Sequence, residues 1–310
     1  MSFLVEIEES AYPADGLDKF AASASFAIDD ARAMMLMSQL AYETAHPTKI
    51  TNVLGRWSLT LKDSASNNPV TGLPPHSACF VAAAGRNATI IAFSGTDPLK
   101  LQDWITDFTA SRSPDDLHSG FQDAVEFVWD KIRTVINSRS NAEQKLFFTG
   151  HSLGGALAII AAERATRELG TQATAVYTFG SPRTGGPNFF ASYKKELADC
   201  TFRLVHANDL VATVPPTIRG NFLHVGQYMH CESGDHFSQN TPREPIAGNN
   251  PDIVKSALQS ALATIFFFAT AQPLLTVGPR LLDQLAILLP PMVRDHVPAN
   301  YFRALSIPLK

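Results

Sequence analysis

Cysteine and charge are both scarce in this chain of 310 residues. Its three cysteines, Cys79, Cys200 and Cys231, are too few and odd in number for a disulfide framework, which points to a reducing compartment and leaves room for one bridge at most. Charged residues form 17% of the chain and nearly cancel to a formal net charge of -4, so the basic surface that attracts nucleic acid is excluded. A secretory signal needs a basic start and an apolar core, whereas MSFLVEIEESAYPADG is acidic and reaches Pro13 after few apolar positions. An unprocessed chain is therefore expected, cytoplasmic or exported by a route that needs no signal. Internal repeats and low-complexity tracts are missing. His224, His230, Cys231, Asp235 and His236 crowd together, but without the H-x-x-x-H or C-x-x-C spacing of a metal site they read as polar residues of a strand and its turn. No cofactor or metal is expected.

What the chain does contain is short apolar runs alternating with stretches of helical period, the pattern of a mostly parallel sheet covered by helices on both faces. The length suffices for one large α/β domain, and no seam divides it. Residues 79–85 and 88–95 read as neighbouring strands joined in a hairpin. Apolar positions 121, 124, 125, 128, 132, 135 and 136 fall on one face and predict a helix over 121–139. Residues 145–149, 175–180 and 201–206 read as further strands, and the helix 154–168 joins the first two in a right-handed crossover.

The pentad Gly150-His151-Ser152-Leu153-Gly154 lies between a strand and a helix and fits G-x-S-x-G, the turn that holds a nucleophilic serine. The glycines are needed because the turn is too tight for β-carbons two residues before and after the serine. Ser152 would stand exposed at the carboxyl end of the sheet, with the positive end of the following helix beside it. A serine hydroxyl attacks only when a base takes its proton, and the base needs an acid to fix its tautomer. Asp209 follows the strand 201–206 and is the best acid; Asp199 precedes that strand, and Asp235 and Asp252 have no strand to aim them.

GHSLGGALA (150–158), IAFSGT (91–96) followed by DWITDF (103–108), HSGFQDA (118–124), YTFGSPRTG (177–185) and NDLVATVPP (208–216) occur in one order along the chain. Together they resemble the class 3 lipases, the α/β-hydrolase family that includes the filamentous fungal triacylglycerol lipases and bacterial relatives. The resemblance covers about residues 30–230 and returns near the end. It implies an α/β-hydrolase fold, Ser152 as nucleophile and Asp209 as acid. It also implies an oxyanion hole formed by the backbone N–H and hydroxyl of Thr96 with the backbone N–H of Leu153. The family often carries Arg where this chain has Ser94. Four histidines follow Asp209. His224 resembles a structural histidine on the family's strand after the acid, and His230 is read as structural too. His296, in RDHVPANYFRAL, shares the terminal setting of the family's catalytic histidine, an Asp-His pair followed by two aromatics, and is favoured as the base; His236 stays as the alternative.

The same resemblance places a short lid at about 97–107, with Leu99, Leu101, Trp104 and Ile105 as its apolar face. Residues 256–279 carry no charge and suggest a membrane span by length, but Gln259, Ser260, Thr264, Gln272 and Pro273 interrupt them. The stretch 252–293 is read as an apolar helical insert of a single domain spanning 1–310, in peripheral contact with lipid. The expected activity is hydrolysis of long-chain carboxylic esters, triacylglycerol foremost, at an oil-water interface and through an acyl-enzyme. A phospholipase A1 or a soluble-ester esterase of the same family remains open, as does an inactive lipid-binding protein.

Overall fold

A computed structural model describes residues 6–66, 78–96, 112–139, 144–215, 222–243 and 294–308. The expected lid residues Leu99, Leu101, Trp104 and Ile105 lie outside the described residues, as does the stretch 252–293. Strands β1 (Thr60–Ala65), β2 (Phe80–Gly85), β3 (Ala88–Phe93), β4 (Lys145–His151), β5 (Ala175–Phe179), β6 (Thr201–His206) and β7 (Gln227–Cys231) form one sheet in sequential order. The first three strands run antiparallel and β3 to β7 run parallel. The expected hairpin joins β2 to β3 through Arg86 and Asn87, both with positive φ, which matches the twist of the strands it connects.

Alternate residues of the central strands face opposite cores, so helices are needed on both sides. Ile90 and Ala92 of β3 and Phe147 of β4 face α1 (Ile28–Leu40), α2 (Pro47–Arg56) and the terminal α7 (Pro298–Ala304). Ile91, Phe93, Leu146 and Phe148 face α3 (Ser119–Glu126), α4 (Trp129–Asn137), α5 (Leu153–Leu169) and α6 (Pro187–Glu196). Helix α5 is the expected crossover, and its run of alanines lets it lie close against the sheet before Gly170 ends it in the left-handed conformation. Among the described residues no helix is long and apolar enough to cross a membrane.

Two expectations need correction. The helix 121–139 is broken into α3 and α4, and a long-range hydrogen bond accounts for the break. The amide of Ala78 donates to the carbonyl of Ala124 at 3.0 Å, so the Val128 amide turns to Val125 O instead and the chain restarts at Trp129. His224 does not lie on the strand after the acid: that strand is β7, which carries His230, while Leu223 makes only an isolated bridge to Gly185.

Candidate active site

The carboxyl ends of β3, β4, β5 and β6 are adjacent and parallel, so the turns that leave them converge on one crevice, where open α/β sheets bind ligands. At the end of β4 the chain reverses into α5 through Ser152, whose φ of 60° and ψ of -134° are strained for a residue with a side chain. A β-carbon on Gly150 would lie 2.1 Å from the carbonyl of Gly154, and one on Gly154 would lie 2.3 Å from Phe93 O, so both glycines are sterically required. The Ser152 amide donates to Phe179 O at 2.9 Å and pins the turn to β5. The loop leaving β3 passes directly over the serine, since a β-carbon on Gly95 would stand 2.7 Å from Ser152 Cβ. Thr96 follows Gly95 on that loop and is half-buried, and Leu153 follows Ser152 as the first residue of α5.

Asp209 leaves β6 in a buried loop, and His296 precedes α7. Nδ1 of His296 lies 2.9 Å from both carboxylate oxygens of Asp209. Oδ1 also accepts the amide of Val211 at 2.9 Å, and Oδ2 accepts the hydroxyl of Tyr301 at 2.6 Å. Burial alone pushes the Asp209 carboxyl up, but the charge of His296 and the hydrogen bonds from His296 and Tyr301 outweigh it and hold the group below the ordinary carboxylate range. A carboxylate kept ionised against imidazole Nδ1 fixes the tautomer with Nε2 free to take a proton. Ser152 is buried rather than exposed as expected, because the loop leaving β3 covers it, and its Oγ has no hydrogen-bond partner among the described residues. Bonds between nucleophile and base are often long in empty sites and tighten around substrate.

The other histidines do different work. The ring of His224 donates to Ala212 O at 2.7 Å and that of His230 to Ala207 O at 2.9 Å, so both brace the loop that carries Asp209. His236 is exposed on the turn after β7. Among the described residues, the group near enough to share a cation is Glu6, Glu43 and His46, where Lys49 Nζ already stands 2.8 Å from Glu43 Oε2 as counterion. Tyr301 is the partner that reading the sequence missed. It lay in the aromatic pair used to choose His296, yet only folding shows its hydroxyl on Asp209.

Residues 90–218 match the class 3 lipase family. A secreted mono- and diacylglycerol lipase of Fusarium solani is 33% identical over 44% of this chain, which spans 41% of that relative. Lipase II from Rhizopus niveus superposes with a TM-score of 0.56 at 21% identity, over 67% of this chain and 81% of its own. A triacylglycerol lipase described as having a serine protease triad at its catalytic centre superposes with a TM-score of 0.55 at 25% identity, over 66% and 79%. The family segment runs from β3 to just past the Asp209 loop. Residues 90–218 thus carry the likeness to the class 3 lipases, and the described residues have the α/β-hydrolase fold of the lipase structures on which they superpose.

Proposed function

We propose that this protein hydrolyses carboxylic esters of long-chain fatty acids, triacylglycerol foremost, at a lipid-water interface. One observation supports the reading: buried Asp209 holds Nδ1 of buried His296 at 2.9 Å, and Ser152 is held in strained geometry at the end of β4. Ser152 Oγ attacks the ester carbonyl and His296 Nε2 takes its proton. The carbonyl oxygen, now negative, is met by Thr96 and Leu153 at the start of α5, where the helix dipole adds positive potential. His296 then protonates the leaving alcohol, which departs as the acyl-enzyme forms. Water, deprotonated by the same histidine, releases the fatty acid and restores Ser152. The stretch 97–107, which lies outside the described residues, keeps its reading as a lid from the sequence alone. The names of the Fusarium relative and of the triacylglycerol lipase with the serine protease triad support the substrate class.

Purified protein should label at Ser152 with a fluorophosphonate and hydrolyse emulsified long-chain triglyceride faster than phospholipid. His296→Ala should lower turnover by at least about a thousandfold, whereas His236→Ala should stay within about tenfold. A folded protein with the reverse ordering would remove His296 as base, and absence of labelling would favour an inactive lipid-binding protein.

A further inference from the structure

His151 occupies the variable position before the nucleophile, and its side chain is almost wholly buried. Its Nε2 lies 2.7 Å from the backbone carbonyl of His296. A carbonyl only accepts, so Nε2 must carry the proton. In the neutral ring Nδ1 is then an acceptor, and the Tyr42 hydroxyl supplies the donor at 2.8 Å. The His151 ring stacks on that of His296 with centroids 4.7 Å apart and planes inclined by 29°, while Tyr301 meets it edge-on. Tyr42 reaches further, because a β-carbon on Gly95 would lie 2.5 Å from its hydroxyl. One hydroxyl thus touches the loop above Ser152 and, through His151, the main chain of His296.

We propose that Tyr42 and His151 are positioning residues that set the main chain of His296 in register with Ser152 and the loop above it, a role that rests on reading His296 as the general base. Asp209 holds only Nδ1 of that base; aiming Nε2 also requires the backbone of His296 to be fixed, and the His151 N–H fixes it. The device works because His151 stays neutral. Burial pushes its pKa down to about 3, the charge of His296 pushes the same way, and Asp209 opposes; among the described residues Tyr42 and Tyr301 also face the ring. When His296 becomes the imidazolium, no second cation forms on the ring stacked against it. The donor to its carbonyl persists throughout turnover.

His151→Leu should lower kcat on a soluble p-nitrophenyl ester by about ten- to a hundredfold with KM changed less than about twofold, the signature of a misaimed base. His151→Gln carries a terminal amide that reaches about as far as Nε2, and it should restore kcat to within about fivefold of the native protein. Equal kcat in the two variants, whether native-like or equally reduced, would make His151 a packing residue and overturn the proposal. Nitrogen NMR of the resting native protein supplies a readout that needs neither variant nor activity. The His151 ring should show the Nε2–H tautomer unchanged between about pH 5 and 8, and a second tautomer should appear in Tyr42→Phe. A native ring protonated on Nδ1, or one titrating in that range, would equally overturn it. If the native protein bound ester without hydrolysing it, the proposed function would fail while the NMR result still decided whether the clamp exists.

Discussion

Gly180 and Ser152 both have a positive φ, for opposite reasons. Ser152 has a φ of 60° and keeps its side chain because the hydroxyl is the reacting group, at a cost of about 1–3 kcal/mol that the glycines and the Phe179 hydrogen bond absorb. Gly180, with a φ of 58°, has nothing to contribute except room. A β-carbon there would lie 2.3 Å from Asp209 Oδ2 and 3.0 Å from His296 Nδ1, inside the acid-base pair itself. Gly180→Ala should therefore lower kcat by at least about a hundredfold, because displacing the carboxylate by an ångström undoes the alignment of the base. The left-handed conformation adds only about 1–2 kcal/mol of destabilisation. Circular dichroism should show a folded variant, and titration of reactive serine with fluorophosphonate should show slow labelling. Native-like labelling would mean that the pair relaxes around the methyl group.

Between strands, the element that matters most is the loop from β6 that carries Asp209. It is held by ring donors from His230 and His224, by the guanidinium of Arg183 on the carbonyls of Thr213 and Pro215, and by the Asn208 amide donating to Asp295 Oδ2 at 3.2 Å. The last bond laces the acid loop to the residue before His296. His224 and His151 both work as neutral donors, and burial, aided by the charges of Arg203 and Arg183 in the case of His224, keeps their pKa values low. Acid must therefore loosen the site. A histidine of ordinary pKa 6.5 in the unfolded chain and about 3 in the fold gives its full stability above 6.5 and loses it progressively as pH falls toward 3. Asp209 acts with the same sign in a lower window, below the ordinary carboxylate value of about 4. The melting temperature should be level at pH 7 to 8 and fall below about 6.5, and His151→Gln should show a shallower fall between 6.5 and 4. Parallel slopes in the two proteins would mean that His151 is protonated in the fold. Much of this arrangement was legible beforehand. The elbow, the hairpin and the crossover helix rest on local signals, glycine placement and apolar period, and Asp209 follows its strand directly. The break between α3 and α4 was not, because its cause is an amide 46 residues away in sequence. Nor were Tyr42 and His151, whose contact spans 109 residues and obeys no spacing rule.

At the scale of the whole chain, the distance of 87 residues between Asp209 and His296 is the unusual feature, and an uncharged stretch of 24 residues lies within it. Asp209 and His296 are 2.9 Å apart, and the Asn208 amide bonds Asp295, so the chain leaves and returns to one side of any bilayer. A single crossing by 256–279 is incompatible with that contact. A second crossing would have to come from 281–293, which is too short for a core of about 30 Å and contains Asp283, Pro290 and Pro291. Contact with lipid that spans no bilayer is compatible with both constraints. After lysis without detergent and ultracentrifugation, ester hydrolysis should remain in the supernatant. Added vesicles should draw it into the pellet, and detergent or dilution should release it again. Activity found only in the membrane pellet, and recovered only by detergent, would require an even number of crossings and would overturn this arrangement of the apolar stretch.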